Sequence, residues 1–442
     1  MAVNSRPEPL ADVARALRSG DRSAVEYATE VCNRLDEIEP DLRAFVPEPS
    51  RRERLLDAAS TLESRYPDPA NRGPLYGIPM GAKDIIAVDG LPTEAGSDLP
   101  PDLLAEPEAT VVTRLREAGA LVCGKTHTTE FAYFEPAPTR NPHDRDHTPG
   151  GSSSGSAAAV AAGECPLTLG SQTIGSVIRP AAFCGVVGFK PSYGRVPTEG
   201  VIPVSPSLDH VGFFTTDVAG ARVAARICCD DWLPAGPESL DRPTIGVPEG
   251  PYLDRASTAG LEAFEEGVAA LDAAGYEVRR VPLLEDIETV AERHETLMAA
   301  EMAIVHGERG WYPAYGDRYA ETTAELIEAG RPASAGTIAD ARTGRKGTRE
   351  AVVDRMRSKG IDVWVSPAAP GPAPEGIDDT GDPIMNLPWT HAGLPTLTVP
   401  AGTVEGLPVG LQCVARPMDD ERLLAWGEGL GAVVEELGQF EQ

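Results

Sequence analysis

Val25, Ala28, Val31, Leu35 and Ile38 recur at helical spacing, so residues 9–38 read as helices, with Pro40 ending the run. Leu55, Leu56, Ala59 and Leu62 share one face and predict a second helix over 52–64. The segment GPLYGIPMGAKDIIAVDG changes pattern: short apolar runs punctuated by Gly and Pro read as strands joined by turns. A helix over 108–118 then feeds a strand at 120–123. Further along, 186–189 reads as a strand and 218–228 as a helix. The alternation resumes with strand 244–247, helix 257–274, strand 277–282, long helices between 286 and 358, strands 363–365, 396–399 and 408–414, and helix 420–436. Such alternation predicts an α/β sheet. The stretch around 233–242, with Pro and Gly and little periodicity, reads as a linker or surface crossing. Because helix and strand alternate on both sides of it, one sheet shared by the whole chain, in a single domain over 1–442, is expected.

Composition narrows the class. The 442 residues are 41% hydrophobic and 24% charged, as in a globular protein. No apolar run approaches the ~18 residues that span a bilayer, and MAVNSRPEPLADVARALRSG has no apolar leader core, so a cytoplasmic protein is expected. A net charge of -29 argues against nucleic-acid and acidic-membrane partners, which call for basic patches. Of 39 basic residues only five are Lys, a pattern resembling proteins of salt-loving organisms; an ordinary acidic enzyme is the alternative. Seven scattered cysteines without C-x-x-C spacing predict reduced, buried thiols.

Candidate chemistry gathers in GGSSSGSAAAVAAGECPLTLGSQTIGSVIRP, residues 150–180, where two serine-bearing turns flank a small-residue helix and a short apolar segment. A serine nucleophile needs a base within hydrogen-bond reach and backbone donors for an oxyanion. Glycine-rich turns let N–H groups converge for that purpose. The turn Thr173-Ile174-Gly175-Ser176 is expected to open a helix, whose free N–H groups favour developing negative charge. Ser152, in the other turn, is placed to relay a proton. Far upstream, Lys83 in GIPMGAKDII is flanked by small and apolar residues. Burial there lowers a lysine pKa and makes a usable base, whereas pairing with Asp84 or another carboxylate would leave it structural.

Taken together, Lys83 in GIPMGAKD, Ser152 in PGGSSSGSAAAVAAG and Ser176 in GSQTIGSVIRPAAFCGVVGFKPSYGRV resemble the amidase signature family and its Ser-cisSer-Lys triad in order and local sequence. The resemblance extends through GKTHTTEFA, TRNPHDRDHTPGG, SLDHVG, DVWVSPAAPGPAP, AGLPTLTVPAG and GLPVGLQ. It covers 70–220 strongly and 360–430 well, and 240–355 only in helical pattern. It implies an α/β/α domain around a mixed sheet and amide hydrolysis without metal or organic cofactor. In the implied mechanism Ser176 attacks the amide carbon, Ser152 passes the proton to neutral Lys83, and the N–H groups of Thr173, Ile174, Gly175 and Ser176 hold the oxyanion. Ser153 and Ser154 either support the relay or only form the turn. The implied partner is a small-molecule amide substrate, and a homodimer is compatible with this reading.

Two departures matter. Ile174 stands where the family usually has glycine or alanine; were that backbone to need positive φ, it would be strained, and its side chain narrows the acyl pocket. Arg179 lies three residues after the nucleophile rather than two, as in members acting on carboxylate-bearing amides, so it either grips a substrate carboxylate or forms a structural ion pair. His143, Asp144, Asp146 and His147 look like metal ligands but lie in a turn-rich segment resembling the family's own, so no metal is expected. The G-x-S-x-G match at 151–155 follows a polar turn, not the strand an α/β-hydrolase elbow requires. One rival is the glutaminase component of a tRNA-dependent amidotransferase, for which GKTHTTEFAYF departs from the expected GKTNMDEFAM-like segment. The other is a catalytically weakened relative that binds a ligand.

Overall fold

The computed structural model describes residues 7–233, 241–435 and 437. The chain opens with α1 (Leu10–Ser19), α2 (Ala24–Leu42) and α3 (Arg51–Arg65), then β1 (Pro79–Lys83), α4 (Thr110–Glu117) and β2 (Leu121–Thr126). Next come α5 (Ser154–Ala161), β3 (Leu167–Gln172), α6 (Ile178–Cys184), β4 (Val187–Lys190), β5 (His210–Thr215) and α7 (Val218–Cys228). The second half has β6 (Ile245–Glu249), α8 (Thr258–Ala273), β7 (Val278–Pro282), α9 (Ile287–Glu308), α10 (Glu321–Gly330), α11 (Ala335–Lys359) and β8 (Val363–Pro367). It closes with α12 (Leu387–His391), β9 (Thr396–Val404), β10 (Leu407–Val414) and α13 (Asp420–Glu435).

Among the described residues all ten strands join one mixed sheet in the order β2-β1-β3-β5-β4-β9-β10-β8-β6-β7. Parallel ladders join β1 to β2 and β3 at one end and β6 to β7 and β8 at the other, with antiparallel pairs between. Side chains alternate across β9: Leu397 and Val399 meet Gly427 and Gly431 of α13, while Thr398 faces Gly188, beside Ala181 of α6. Helices therefore cover both faces of the sheet. Strands buried on both faces read as continuous apolar runs, which is why β8 is VWVSP with every residue buried.

Several expectations shift. Helix α2 runs two residues past Pro40 to Leu42. In the last turn proline forfeits only one N–H bond, and Arg43 closes the helix in the left-handed region with its N–H on Glu39 O. Within 73–90 only Pro79–Lys83 is a strand; the rest is turns, with isolated bridges at Ile86 and Val88. Two strands not predicted, β3 and β5, carry mid-strand glycines. At Gly212 a Cβ would lie 2.8 Å from both Phe189 O and a Val177 methyl, so tertiary packing removed the side chain that would have signalled a strand. The expected linker around 233–242 lies largely outside the described residues, as does residue 436 of the last predicted helix. Among the described residues no helix is long and apolar enough to cross a membrane.

Candidate active site

Lys83 ends β1, and the parallel register Ala82↔Leu169 sets it beside the carboxyl end of β3. Ligand sites of open α/β sheets gather at such strand ends. The side chain is fully buried. Its Nζ lies 2.6 Å from Ser152 Oγ and 2.8 Å from Ser171 Oγ. Asp84 is not its partner: that carboxylate pairs with Lys125 at 2.8 Å and accepts the Glu94 N–H at 3.1 Å. With only hydroxyls and a carbonyl around it, Lys83 is pushed by burial well below the ordinary lysine pKa, against a weaker opposing pull from Asp209. A neutral amine has a free lone pair, so this nitrogen can accept a proton.

Ser152 follows a cis peptide from Gly151 and is buried. Behind it, Ser153 donates to Ser171 O at 3.2 Å and accepts the Ser171 N–H at 3.3 Å, fixing the serine that flanks Lys83. Ser154 is buried at the first position of α5. Its hydroxyl makes no bond to Lys83.

Ser176 closes the second turn and is 8% exposed. No hydrogen bond joins it to Ser152. Among the described residues none accepts from the backbone N–H of Ile174, Gly175 or Ser176, which leaves three donors in one turn. That turn is held from every side. Gln172 Oε1 accepts the N–H of Val177 at 2.7 Å and of Ile178 at 2.9 Å, and its amide donates to Thr390 Oγ1 at 2.9 Å. Thr390 in turn donates to Ile174 O at 2.6 Å. The Thr173 hydroxyl donates to Asp209 at 2.6 Å, a carboxyl that burial raises to about 7. A Cβ at Gly175 would lie 2.4 Å from Asn386 Oδ1, so only glycine fits there.

Sequence reasoning missed Ser171, Gln172, Asp209, Thr390 and Asn386. Ser171 and Gln172 stand in the quoted turn and Asp209 in SLDHVG, so the signal existed. Their roles emerge only when β3, β5 and α12 are brought together.

Ile174 is not among the residues with positive φ, so its backbone is unstrained. Its side chain lines a cavity of about 790 Å³, together with Tyr133, Phe134, Met298 and Ile384. Arg179 is buried and makes no ion pair among the described residues: it donates to Gly151 O at 2.8 Å, to Thr380 Oγ1 at 3.1 Å and to Gly381 O. Asp382 and Asp379 are felt electrostatically but lie beyond pairing distance, and burial draws the guanidinium down to about 10. His143 Nε2 engages Cys184 O at 2.9 Å, and His147 Nδ1 lies 3.1 Å from Asp144.

The family model described as Amidase matches residues 26–424. A glutamyl-tRNA(Gln) amidotransferase subunit from Symbiobacterium thermophilum is 35% identical over 93% of this chain and 94% of its own. A crystal structure of an amidase superposes with a TM-score of 0.87 at 34% identity, covering 97% of this chain and all of that one (100%). Native peptide amidase from Stenotrophomonas maltophilia does so with a TM-score of 0.83 at 27% identity, covering 98% of each chain. With a match over nearly its whole length, this chain belongs to the amidase signature family and is an enzyme of the carbon–nitrogen amide-hydrolase type.

Proposed function

We propose that the chain, acting as one amidase domain, hydrolyses a primary amide to the acid and ammonia through Ser176, Ser152 and Lys83. The observation that carries this reading is the 2.6 Å contact between Ser152 Oγ and a buried lysine with no carboxylate partner. Ser176 Oγ attacks the amide carbon, its proton passing through Ser152 to the Lys83 lone pair. The free N–H groups of the 174–176 turn donate to the developing oxyanion, an arrangement worth roughly 3–4 kcal/mol per donor where it has been probed. Collapse expels ammonia as the relay returns the proton. Water then attacks the acyl-serine along the same path. Gly151, whose carbonyl takes a hydrogen bond from Arg179, is held next to the relay serine.

Ser176→Ala and Lys83→Ala are expected to fold normally, judged by circular dichroism and unfolding midpoint. Each should lose ammonia release by about two or more orders of magnitude. Near-normal release from either removes the assignment.

For the acyl group, the curated relatives favour glutamine, as their name states for a glutamyl-tRNA(Gln) amidotransferase component, over a freestanding small carboxylic amide. Against that name stands the departure of GKTHTTEFAYF from the segment expected of such a component. Ammonia release from glutamine by the isolated chain, compared with release after adding amidotransferase partner subunits, separates the two. Partner-dependent glutaminase activity supports the amidotransferase reading, and partner-independent turnover of other amides supports the freestanding one.

A further inference from the structure

The cavity beside the Ser176 turn carries information on the substrate that the relatives' names do not. Its lining is mostly apolar: Tyr133 and Phe134, packed edge to face with ring centres 4.9 Å apart, stand with Ile174, Met298, Leu326 and Ile384. At about 790 Å³ it is large enough for a ring-bearing acyl group. Its charged members are Arg255, Glu288, Glu295 and Asp382. The only cation among them is already engaged, with Arg255 Nη1 2.7 Å from Glu288 Oε1. Near the relay, Lys83 is held by serine oxygens, and the Arg179 guanidinium donates to Gly151, Thr380 and Gly381. Within the lining the one cation is thus paired, while Glu295 and Asp382 add two further carboxylates, so an incoming carboxylate meets like charge.

We infer that this site selects neutral carboxamides with an apolar, ring-sized acyl group and rejects those bearing a carboxylate, free glutamine and succinamate included. In this the chain parts from the acyl group that its relatives' name points to while keeping their chemistry. The inference rests on the proposed amide hydrolysis for its turnover readout, although not for its binding readout. Ile174 is the specificity-determining residue closest to the nucleophile, closing the apolar wall where glycine would leave a gap.

The test is kcat/KM for benzamide, phenylacetamide, acetamide, succinamate and L-glutamine, at low and multimolar salt so that screening of the acidic surface is controlled. Alongside it, calorimetry measures binding of the same amides to Ser176→Ala. Expected is at least about a tenfold preference for the two aromatic amides over both carboxylated ones, in turnover and in binding. Ile174→Gly should narrow the gap between phenylacetamide and acetamide, read as the ratio of their kcat/KM values and of their binding constants. Succinamate or glutamine matching or exceeding phenylacetamide overturns the inference while leaving amide hydrolysis standing. Selective binding of phenylacetamide without turnover of any amide sustains the inference and overturns the hydrolytic reading. Absence of both binding and turnover of phenylacetamide overturns the inference.

Discussion

At the residue scale the decisive feature is a lysine whose charge has been removed by its surroundings. In the unfolded chain Lys83 holds its proton up to an ordinary pKa near 10.5, while in the folded chain burial drives the proton off well below that. Between those two values the unfolded state binds one more proton than the native state, so the native state gains stability as pH rises. The contribution is complete above the unfolded pKa and is lost as pH falls through the folded one. Lys83→Met has no such titration. The stability of the natural protein relative to that variant should therefore climb by about 1.4 kcal/mol per pH unit in the alkaline part of the window. Parallel urea titrations from neutral pH to about pH 10 measure it. A flat difference would mean that Lys83 keeps its proton in the folded state and cannot serve as a base.

At the element scale the site depends on how closely small residues let helices approach the sheet. Every residue of α5 is buried, and Gly155 sits so near the chain beyond it that a Cβ would lie 2.0 Å from Ala44 O and 2.6 Å from His127 N. Backbone cannot move aside as a flexible side chain can, so Gly155→Ala should cost about 1–3 kcal/mol, read as a lower denaturant midpoint at unchanged m-value. Gly347, inside α11 with open space around its would-be Cβ, should instead gain up to about 1 kcal/mol on substitution by alanine. The same contrast explains what the sequence made legible. Amphipathic helices such as α2, whose buried Val31, Leu35 and Ile38 recur every three or four residues, declare themselves through periodicity. Helix α5 and strands β3 and β5 have no solvent face, and a segment buried all round carries no alternation to read. Ser152 and Ser176 stood out because short glycine-rich turns constrain which residues they can hold, and Lys83 because small and apolar residues flank it. Asp209 and Thr390 did not, since each acts on the turn from an element distant in sequence.

At the scale of the whole molecule, 68 acidic side chains against 39 basic ones leave a field of like charge over the surface. Several ion pairs that oppose it are exposed, such as Arg15 with Asp12 and Lys346 with Glu350, and exposed pairs are worth about 0–1 kcal/mol each. Added salt weakens those pairs and the general repulsion together, and because repulsion dominates at a net charge of -29 the balance favours the folded state. Simple screening is exhausted by about 1 M, where the Debye length has shrunk to ~3 Å. An ordinary acidic enzyme should therefore gain thermal stability up to that point and then level off. A chain adapted to salt, as the near absence of lysine suggests, should keep gaining beyond it, because carboxylate-bound water and cations then stabilise the surface. Melting temperature and ammonia release measured in parallel across potassium chloride from low to multimolar concentration distinguish the two. The expected result is a rise in both that continues above about 1 M; a maximum at low salt would return this protein to the ordinary acidic enzymes.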